Sequence, residues 1–360
     1  MDDISRVVVG LSGGVDSAVA AYLLKKQGYQ VIGVTLRTWQ AESGAYSRCC
    51  DISDARRTAM QLDIPFYNVN SLPEFREHVT EPFVKAYLNG LTPNPCVACN
   101  RHIKWEKLLS FADEINAEYI ATGHYARIVR TENGRYAVKQ AFYAAKDQTY
   151  MLYQLSQEQL SRTLMPLADL TKEEVREIAK EAGLDVADKQ DSQEICFVLD
   201  GGYAEYIDAY VEGKLPPPGN FVDENGNILG KHNGIVNYTV GQRKGLGISL
   251  GYPAYVKRID PENNTVVLGN EDSVMKSRIL CRDLSFMAID GIKKGEKLRA
   301  FVKIRYHHAA TPAYLECVDD NTVSVSFDLP VKAPAPGQSA VFYDSENRVM
   351  GGGIIQQDQQ

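Results

Sequence analysis

Short apolar runs and amphipathic stretches alternate over the first part of the chain. The apolar runs have the composition of strands and are RVVVG (6–10), YQVIGVTLRTW (29–39), IPFYNVN (64–70) and AEYIATGHY (117–125). The stretches between them have helical spacing and span 16–27, 51–63, about 73–90 and about 102–115. This repetition predicts an α/β domain with a parallel sheet covered by helices, and with ligands at the carboxyl ends of the strands.

The pattern changes twice further along the chain. A hairpin with Asn133-Gly134 as its turn is followed by helical spacing over about 148–183, where Thr171 and Glu174 form a capping box. After about Val198, prolines and glycines interrupt the chain, and from about 275 short alternating strands predict a small barrel. We therefore expect three domains, which span residues 1–203, 204–273 and 274–360.

Composition and charge limit the function classes. The 360 residues are 44% hydrophobic and 24% charged, with no apolar run of membrane-spanning length and no signal peptide, so we expect a cytoplasmic protein that does not bind membranes. The net charge of -7 argues against non-specific nucleic-acid binding by the surface as a whole, although it says nothing about a local basic face.

Seven cysteines are spread over the chain. Cys49 and Cys50 are adjacent, Cys96 and Cys99 form a CxxC motif, and the others are Cys196, Cys281 and Cys317. An odd, scattered set without an export signal favours thiol chemistry, a metal or burial over a disulfide scaffold. For Cys281 and Cys317, in the β-rich region, we expect burial.

The segment SGGVDS (12–17) follows the first predicted strand and opens the first predicted helix. Gly13 and Gly14 let backbone N–H groups approach phosphate oxygens at a helix N-terminus, Ser12 and Ser17 add hydroxyl donors, and Asp16 could help to place Mg²⁺. The loop lacks the lysine of GxxxxGK[ST]. The absence of this lysine fits a reaction in which ATP is cleaved between the α and β phosphates. In such a reaction the loop holds the leaving pyrophosphate.

TPNPCVACNRHIKW (92–105) predicts a proline-stiffened loop that carries Cys96 and Cys99 and is followed by a helix. Three interpretations stay open. A zinc site would need a second pair of ligands, for which Cys49-Cys50 is a poor candidate. Cys96, Cys99 and Cys196 could instead surround an iron–sulfur cluster. Alternatively, Cys99 and Cys196 form a redox pair in which one carries transferable sulfur and the other resolves the product as a disulfide.

Eight motifs, in order along nearly the whole chain, resemble the tRNA-specific 2-thiouridylase family (MnmA/TRMU). They are GLSGGVDS (10–17), TPNPCVACN (92–100), ATGHYAR (121–127), KDQTYMLY (146–153), DSQEICFV (191–198), YTVGQRKGLGI (238–248), KIRY (303–306) and GQSAVFY (337–343). The resemblance implies a parallel-sheet N-type ATP pyrophosphatase domain with a helical extension, a central tRNA-binding β-rich domain and a C-terminal β-barrel.

The resemblance also implies a reaction. ATP adenylates O2 of uridine 34, the wobble base of tRNAs of the Lys, Glu and Gln type, and a cysteine persulfide then delivers sulfur to C2 while AMP departs. A cysteine desulfurase or a sulfur-relay protein loads the persulfide. Cys196 matches the persulfide carrier and Cys99 the second catalytic cysteine, whereas Cys96 stands where some members have aspartate, which strengthens the cluster alternative.

By position, the remaining family sites fall into three groups. Those for ATP match Gly10, Leu11, Ser12, Gly13, Gly14, Val15, Asp16, Ser17, Leu36 and Gly123. Those for the target base match Asn94, Pro95 and Cys96. Those for tRNA match His124, Lys146, Asp147, Gln148, Arg305, Tyr306 and Gln338. The basic segment GQRKGLG (241–247) is, from its own residues, a further candidate for phosphate contact.

Two other functions share part of this pattern. An amide-forming ATP pyrophosphatase has the same loop but needs neither paired cysteines nor an RNA-binding barrel. A non-catalytic RNA-binding protein would use the loop only to sense nucleotide. The three candidate functions can be distinguished by the thiolation activity of cysteine variants and by the products of ATP cleavage.

Overall fold

The structure is a computed structural model that describes residues 4–39, 51–190, 195–198 and 202–357. The adjacent cysteines Cys49 and Cys50 lie outside these residues, as does the DSQE portion of the motif that carries Cys196.

The N-terminal part of the chain contains a parallel sheet and a hairpin. Its strands are β1 (Arg6–Gly10), β2 (Gln30–Arg37), β3 (Phe66–Asn70), β4 (Tyr119–Ala121), β5 (Arg127–Arg130), β6 (Tyr136–Lys139) and β7 (Thr163–Leu164). Five of them form the sheet in the order β3-β2-β1-β4-β7, with every pair parallel, while β5 and β6 pair as the predicted hairpin. The predicted α/β architecture is confirmed.

Nine α-helices lie in the described residues. They are α1 (Val15–Lys26), α2 (Ile52–Gln61), α3 (Leu72–Phe75), α4 (Glu81–Leu88), α5 (Pro95–Ala98), α6 (Glu106–Glu114), α7 (Gln157–Ser161), α8 (Lys172–Glu181) and α9 (Tyr203–Tyr210). Two π-helical segments, Arg76–Thr80 and Cys99–Trp105, join α3 to α4 and α5 to α6 into continuous helices. Short 3₁₀ turns occur at Ala144–Lys146, Thr149–Leu152, Asp185–Asp188, Ile235–Asn237 and Asp272–Val274.

The helix that carries the CxxC motif begins earlier than the sequence predicts. Pro95 occupies the first turn, and the Asn94 side chain accepts a 3.1 Å hydrogen bond from the Cys96 N–H. Asparagine at the N-cap followed by proline is a strong helix start, because proline lacks the N–H that would otherwise be unpaired there. Cys96 and Cys99 therefore lie on a helix rather than on a loop.

The order of the strands creates a crevice beside β1. The chain moves outwards from β1 to β2 and β3, then returns to the other side of β1 as β4. The strand order therefore reverses at β1, and the segments that leave the carboxyl ends of β1 and β4 lie next to each other there. Such a switch point is where ligands bind in open α/β sheets.

Apolar side chains cover both faces of this sheet. Val8 of β1 belongs to one buried cluster, with Trp105 and Phe75, while its neighbours Val7 and Val9 belong to a second cluster on the opposite face. Alternate strand residues point to opposite faces, so a continuous apolar run such as RVVVG is what a sheet covered on both sides requires.

The middle domain is a four-stranded sheet in the order β10-β11-β8-β9. Its strands are β8 (Gly219–Val222), β9 (Ile228–His232), β10 (Tyr255–Asp260) and β11 (Thr265–Gly269). All pairs are antiparallel except β8 with β11. Phe221, Val256 and Leu268 lie in its small apolar core.

The C-terminal domain is a closed six-stranded barrel, as the alternating pattern predicts. The strands are β12 (Met275–Phe286), β13 (Lys297–Lys303), β14 (Thr311–Asp319), β15 (Thr322–Lys332), β16 (Ser339–Tyr343) and β17 (Val349–Ile355). They pair in the order β12-β15-β14-β13-β16-β17, and β17 returns to β12 to close the ring. Closure leaves no unpaired edge, and the interior is filled by side chains such as Val302, Leu315 and Phe342.

Two elements are absent from the sequence prediction. The two-residue strand β7 lies inside the stretch expected to be helical, and α9 lies where irregular structure begins to dominate. Of the helices in the described residues, none combines the length and the apolar character needed to span a bilayer.

Candidate active site

The SGGVDS loop turns sharply between β1 and α1, and the turn depends on Gly13. Its φ of +76° lies in the left-handed region. A Cβ at this position would also lie only 2.6 Å from the carbonyl oxygen of Asp51, the residue that caps α2. The Asp51 N–H donates to the Ser12 carbonyl at 3.2 Å. The start of α2 is therefore packed directly against the loop.

Hydrogen-bond donors collect at the start of α1. Gly14 is its N-cap and provides no side chain to occupy the first N–H groups of the helix. The hydroxyls of Ser12 and Ser17 lie 3.1 Å apart, and the Ser12 N–H donates to Ser17 Oγ at 3.1 Å. Backbone N–H groups and hydroxyls that point outwards from a helix N-terminus are suited to binding phosphate oxygens.

The remaining residues matched to ATP support this loop or lie beside it. The Leu11 N–H donates to the Val34 carbonyl at 2.8 Å, and Thr35 Oγ1 donates to the Leu11 carbonyl at 2.7 Å. Val15 is buried at the start of α1, Leu36 is buried near the end of β2, and Gly10 ends β1. Strand β2 thus holds the loop at the carboxyl edge of the sheet.

Asp16 is held by two side chains from later in the chain. Lys172 Nζ, from the first turn of α8, lies 2.7 Å from Asp16 Oδ1, and the Tyr125 hydroxyl donates to the same oxygen at 2.8 Å. Sites that hold Mg²⁺ with nucleotide phosphates use one or two carboxylates. Asp16 provides one carboxylate of that kind, so the residues present fit a phosphate-bound Mg²⁺.

The segment after β4 connects the loop to the cysteine helix. A Cβ on Gly123 would lie 2.6 Å from backbone atoms of both Asp16 and Ser17, so the two segments are in direct backbone contact. The next residue, His124, places Nε2 3.5 Å from Lys104 Nζ and Nδ1 2.8 Å from Thr122 Oγ1. Burial, together with the Lys104 ammonium, lowers the pKa of His124 well below its ordinary value. The imidazole is therefore neutral near pH 7.

Cys96 and Cys99 have different environments although three residues separate them. Cys96 is exposed, whereas Cys99 is buried and belongs to the apolar cluster that contains Val97 and Ile103. Burial of the sulfur raises the pKa of the Cys96 thiol, although the residue as a whole is exposed, and the Lys104 ammonium partly opposes that rise. Cys99 is also the first residue of a π-helical segment, a local irregularity that is frequent at functional sites.

Cys196 packs against the same apolar cluster that contains Cys99. It is partly buried, and the following residue, Phe197, contacts Phe75 and Phe83 edge to face, with ring centroids 5.7 and 5.2 Å apart. The same apolar cluster therefore supports Cys99 and Cys196, the two cysteines that the sequence analysis offers as a redox pair.

The barrel meets this site through the TPNP segment. The Gln338 side chain donates from Nε2 to the carbonyls of Thr92 at 2.9 Å and Pro93 at 3.3 Å. The Thr92 N–H in turn donates to the Pro336 carbonyl at 2.8 Å. Asn94 caps the cysteine helix and donates from Nδ2 to Met151 Sδ at 3.4 Å. The barrel thus holds this segment at Thr92 and Pro93, and Met151 accepts a hydrogen bond from Asn94.

Arg305 and Tyr306 follow β13 rather than lying within a barrel strand. Arg305 Nη2 donates to the carbonyls of Val240 at 3.0 Å and Ala333 at 2.5 Å, and so connects the middle domain to the barrel. The Tyr306 ring lies 6.2 Å from Tyr150, and burial first, then the nearby Asp147 and Cys96, raises the pKa of Tyr306. Tyr306 is therefore close to the exposed thiol.

The KDQ residues lie at the same junction. Asp147 is buried, accepts a 2.6 Å hydrogen bond from Thr149 and lies 3.8 Å from Lys303 of β13. Gln148 exchanges hydrogen bonds of 2.9 Å with the backbone of Tyr125. Lys146 is half-buried. Asp147 and Gln148 thus use their side chains inside the protein, and a role of these three residues towards tRNA stays a prediction.

Comparisons with known proteins identify the relationship of the whole chain. Family models match residues 5–200 (tRNA methyl transferase HUP domain), 204–270 (tRNA methyl transferase PRC-barrel domain) and 276–355 (aminomethyltransferase beta-barrel domain). The tRNA-specific 2-thiouridylase MnmA of Lachnoclostridium phytofermentans is 53% identical over 98% of this chain and 100% of its own. Those of Acetivibrio thermocellus and Clostridium perfringens are 50% and 49% identical, over 98% of this chain and 99% and 98% of their own.

The chain belongs to the tRNA-specific 2-thiouridylase family.

Two solved structures resemble the chain distantly. The U34-tRNA thiolase NcsA from Methanococcus maripaludis, solved with its [4Fe-4S] cluster, is 20% identical, with a TM-score of 0.36 over 53% of this chain and 60% of its own. NMN synthetase from Francisella tularensis is also 20% identical, with a TM-score of 0.35 over 60% of this chain and 79% of its own.

The three cysteines do not form a ligand cage within this 2-thiouridylase chain. Among the residues that the structure describes, no group of three or more His, Cys, Asp or Glu side chains is arranged to hold a metal ion. Cys96, Cys99 and Cys196 are all described, so the arrangement does not fit an iron–sulfur cluster. Cys281 is buried in the barrel as predicted, while Cys317 is only partly buried.

Several residues at this site are not visible from sequence reasoning. Lys172 comes from α8, Lys104 from the π-helical segment, and Tyr125 from the position after His124. Lys189 contacts the carboxylates of both Asp51, at 3.0 Å, and Asp54 beside the loop. Lys172 and Lys189 have no sequence signature, because a lysine in a polar stretch ordinarily marks a solvated face. Lys104 and Tyr125 lie within the motifs at 92–105 and 121–127, but those motifs do not indicate what the two side chains contact.

Proposed function

We propose that this protein catalyses the ATP-dependent 2-thiolation of uridine 34 in tRNA, with release of AMP and pyrophosphate. The substrates would be wobble-uridine tRNAs of the Lys, Glu and Gln type, and the reaction would take place in the cytoplasm. Sulfur would arrive from a cysteine desulfurase or a sulfur-relay protein as a persulfide on Cys196. Family membership supports the reaction class, and the contacts at the site support the roles given below.

One observation carries the proposal: the segment after β4 contacts both the phosphate loop and the helix that carries the CxxC motif. Gly123 lies against the backbone of Asp16 and Ser17, and His124 beside it contacts Lys104. The Lys104 ammonium also acts to lower the pKa of the Cys96 thiol, which lies on the same continuous helix. A nucleotide held at the start of α1 and a base held beside Asn94 to Cys96 would therefore share one crevice. Transfer of AMP to a base requires the two reactants to be held side by side, and a shared crevice would allow this.

In the first step, O2 of the uridine attacks the α phosphorus of ATP. The bond between that phosphorus and the bridging oxygen breaks, and the electron pair leaves with pyrophosphate. The N–H groups and hydroxyls of Ser12 to Ser17 would hold the leaving pyrophosphate, and a phosphate-bound Mg²⁺ beside Asp16 would supply further neutralisation of its charge. The C2 carbonyl oxygen thereby becomes part of a phosphate ester, which can leave as AMP.

In the second step, the terminal sulfur of the Cys196 persulfide attacks C2, and AMP leaves with the former O2. The tRNA is then joined to Cys196 through a disulfide bond. The Cys99 thiolate attacks Cys196 Sγ, and the electron pair of the broken S–S bond goes to the sulfur on C2. The products are 2-thiouridine and a Cys99–Cys196 disulfide, which a dithiol reductant must reopen before the next turnover.

Binding of tRNA requires the wobble base to leave its stack and enter the crevice, as is general for recognition of single-stranded RNA bases. Asn94, Pro95 and Cys96 are the proposed contacts of the base, and the rigid support of this segment by Gln338 fits that role. Arg243 and Lys244 of the GQRKGLG segment are exposed and are proposed to contact phosphates. The other proposed residues of the tRNA-binding surface are His124, Lys146, Asp147, Gln148, Arg305 and Tyr306, together with Gln338, which would act on tRNA through the TPNP segment that it supports.

The test measures products with purified protein, unmodified tRNA, ATP and a persulfide donor. We expect AMP rather than ADP, formed faster when tRNA is present, together with 2-thiouridine detected by nucleoside mass spectrometry. Cys196→Ser and Cys99→Ser should each abolish 2-thiouridine while pyrophosphate release continues. Cys281→Ser, which changes a cysteine inside the barrel, is the matched control and should retain thiolation.

Three outcomes contradict the proposal. Formation of ADP would exclude adenylation, and 2-thiouridine from Cys196→Ser at the wild-type rate would exclude the persulfide role. Protein purified without oxygen and analysed for iron and sulfide provides the third. If thiolation occurs only with bound iron, the reaction passes through a cluster rather than through the proposed pair of thiols.

A further inference from the structure

The proposed reaction ends with a disulfide between two cysteines that the protein encloses. Cys99 is 7% exposed, Cys196 is partly buried, and both pack in one apolar cluster. The rate of thiol–disulfide exchange depends on access to the sulfur that is attacked, so a reductant from solution opens an enclosed disulfide slowly. A thiol of the protein itself, placed beside this disulfide, would react with it without entering from solution.

Cys96 is placed to be that thiol. The helix Pro95–Ala98 continues into Cys99–Trp105, and Cys99 has helical φ and ψ angles of -61° and -43°. Residues three apart on a helix lie on the same side of it, with about 5–6 Å between their Cβ atoms. A disulfide needs about 3.5–4.5 Å between these atoms. A small adjustment of the first helical turn is therefore enough to join the sulfurs of Cys96 and Cys99.

The surroundings of Cys96 differ from those of its two partners. Of the five cysteines in the described part of the chain, Cys96 is the exposed one. Its sulfur is turned inwards, where burial raises the pKa of the thiol, while the Lys104 ammonium opposes that rise and favours the thiolate that attacks disulfides. Because the residue itself lies at the surface, rotation of its side chain brings the sulfur to solvent. The sulfurs of Cys99 and Cys196 would need the apolar cluster to open.

We propose that Cys96 is a resolving cysteine, which moves the disulfide of the product state from Cys99–Cys196 to Cys96–Cys99. The Cys96 thiolate attacks Cys99 Sγ, the bond between Cys99 Sγ and Cys196 Sγ breaks, and its electron pair leaves on Cys196 as a thiolate. Cys196 can then accept the next persulfide. A dithiol reductant opens the Cys96–Cys99 bond and is itself oxidised to a disulfide.

This inference rests on the proposed function for the origin of the first disulfide, but the pairing of the three cysteines can be measured without tRNA. The full-length protein is equilibrated in a buffer of reduced and oxidised glutathione, its free thiols are blocked with N-ethylmaleimide, and the disulfides are mapped by peptide mass spectrometry. We expect Cys96–Cys99 as the main disulfide of the wild type. In Cys96→Ser, the Cys99–Cys196 disulfide should take its place.

The second measurement compares two rates of 2-thiouridine formation. A single turnover by protein that already carries the persulfide needs no resolution, whereas steady-state turnover with a persulfide donor and a dithiol does. Cys96→Ser should lower the ratio of the steady-state rate to the single-turnover rate by about tenfold or more, because a neighbouring thiol acts at a high effective concentration. Loss of a contact with the base would lower both rates, and the ratio is insensitive to it.

Cys317→Ser is the matched control. Cys317 is a partly buried cysteine of β14 in the barrel, and its Sγ donates to the Asp319 carbonyl at 3.3 Å. This substitution should change neither the disulfide pattern nor the ratio of the two rates.

Two results overturn the proposal. One is an unchanged ratio of rates in Cys96→Ser, since the Cys99–Cys196 disulfide would then be reduced directly. The other is wild-type protein that holds Cys99–Cys196 as its main disulfide in the glutathione buffer while Cys96 stays free. Protein that forms Cys96–Cys99 in this buffer but makes no 2-thiouridine would instead contradict the proposed function, while supporting the exchange among the three cysteines.

Discussion

Among the described residues, the most exposed cysteine lies in the N-terminal sheet domain and the most deeply buried one lies in the C-terminal barrel. In the sheet domain, Cys96 is exposed, Cys196 is partly buried and Cys99 is buried, beside a crevice. In the barrel, Cys281 of β12 is fully buried among apolar side chains, and burial raises its pKa. An open parallel sheet leaves a crevice where its strand order reverses, whereas a closed barrel fills its interior with side chains. Reactive thiols therefore belong to the sheet, and the barrel can act only through its outer surface and its ends.

Glycines differ between the two regions in the same way. Gly13 brings the phosphate loop against α2, so its lack of a side chain shapes a binding site. Gly352 of β17 admits the Tyr153 ring, with 2.7 Å between that ring and a hypothetical Cβ, so its lack of a side chain joins the barrel to the catalytic domain. The barrel thus contributes to the site by supporting segments of the sheet domain.

The largest effect is expected from a methyl group at Gly13. Gly13→Ala places a side chain in the left-handed region, which costs about 1–2 kcal/mol, and drives it into the Asp51 carbonyl. We expect ATP cleavage to AMP to fall by about a hundredfold or more, because the loop donors move away from the phosphates. The measurements are AMP formation with tRNA and the midpoint of thermal unfolding.

Gly14→Ala is the control for that experiment. Gly14 has a φ of -102°, and a Cβ there would meet only Ser12 Oγ, at 3.4 Å. The thermal midpoint should match wild type. If both variants lost the same stability, the packing of α2 against Gly13 would not be the cause of the constraint.

The second effect tests whether the barrel supports the TPNP segment. Gln338→Leu removes the donor to the carbonyls of Thr92 and Pro93, and loss of one buried hydrogen bond of about 1.4 kcal/mol corresponds to about tenfold in rate. We expect kcat for thiolation to fall by that factor, with KM for tRNA nearly unchanged. Gln357→Leu, which removes a bond to Ile259 away from the site, should change neither.

The opposite kinetic result would give the Gln338 side chain a different role. A direct contact between its side chain and tRNA predicts a higher KM for tRNA with an unchanged kcat at saturation. That result would mean that the barrel end binds RNA itself instead of positioning the cysteine helix.

A smaller effect is expected at Lys189, which precedes the segment that carries Cys196. Burial opposes the charge of Lys189, but the carboxylates of Asp54 and Asp51 outweigh it and raise the pKa of this lysine. Lys189→Met should release the segment and increase the alkylation rate of Cys196 about threefold, since partly exposed ion pairs contribute ~0.5–1 kcal/mol. Lys214→Met, at an exposed pair with Glu212, should leave that rate unchanged. A slower reaction of Cys196 in Lys189→Met would show that the ion pairs expose this cysteine rather than restrain it.

The sequence predicts most of the fold because its local signals agree with the tertiary structure. The run RVVVG, the Asn133-Gly134 turn and the Thr171 capping box each appear as expected. The helix start at Pro95 was missed, because the two prolines of TPNP suggested an extended loop, whereas one of them occupies a helical first turn. Strand β7 was missed because two residues are too few to show a period of two.

Contacts between distant residues account for what the sequence did not predict at the site. The approach of Lys172 to Asp16 and of Gln338 to Thr92 depends on how whole elements pack, and no spacing rule connects positions so far apart. The same limit applies to the two cysteines of the CxxC motif. Their spacing shows that they are near each other, but only the packing around the helix determines that Cys96 is exposed and Cys99 buried.

The smallest effect is a shift in the pH dependence of thiol alkylation, and it tests the comparison between the two domains directly. Burial of its sulfur raises the pKa of Cys96, so the acceleration of its reaction with iodoacetamide should occur at higher pH than that of an ordinary thiol, whose pKa is about 8.5. Lys104 opposes the rise by favouring the thiolate. Lys104→Met should therefore move the midpoint to still higher pH, while Lys107→Met, at a pair with Glu74, should not move it. Peptide mass spectrometry reports each cysteine separately. Cys281, enclosed by the barrel, should stay unmodified until the protein unfolds. Native-state alkylation of Cys281 at a rate similar to that of Cys96 would contradict the distinction between the crevice of the sheet and the closed interior of the barrel.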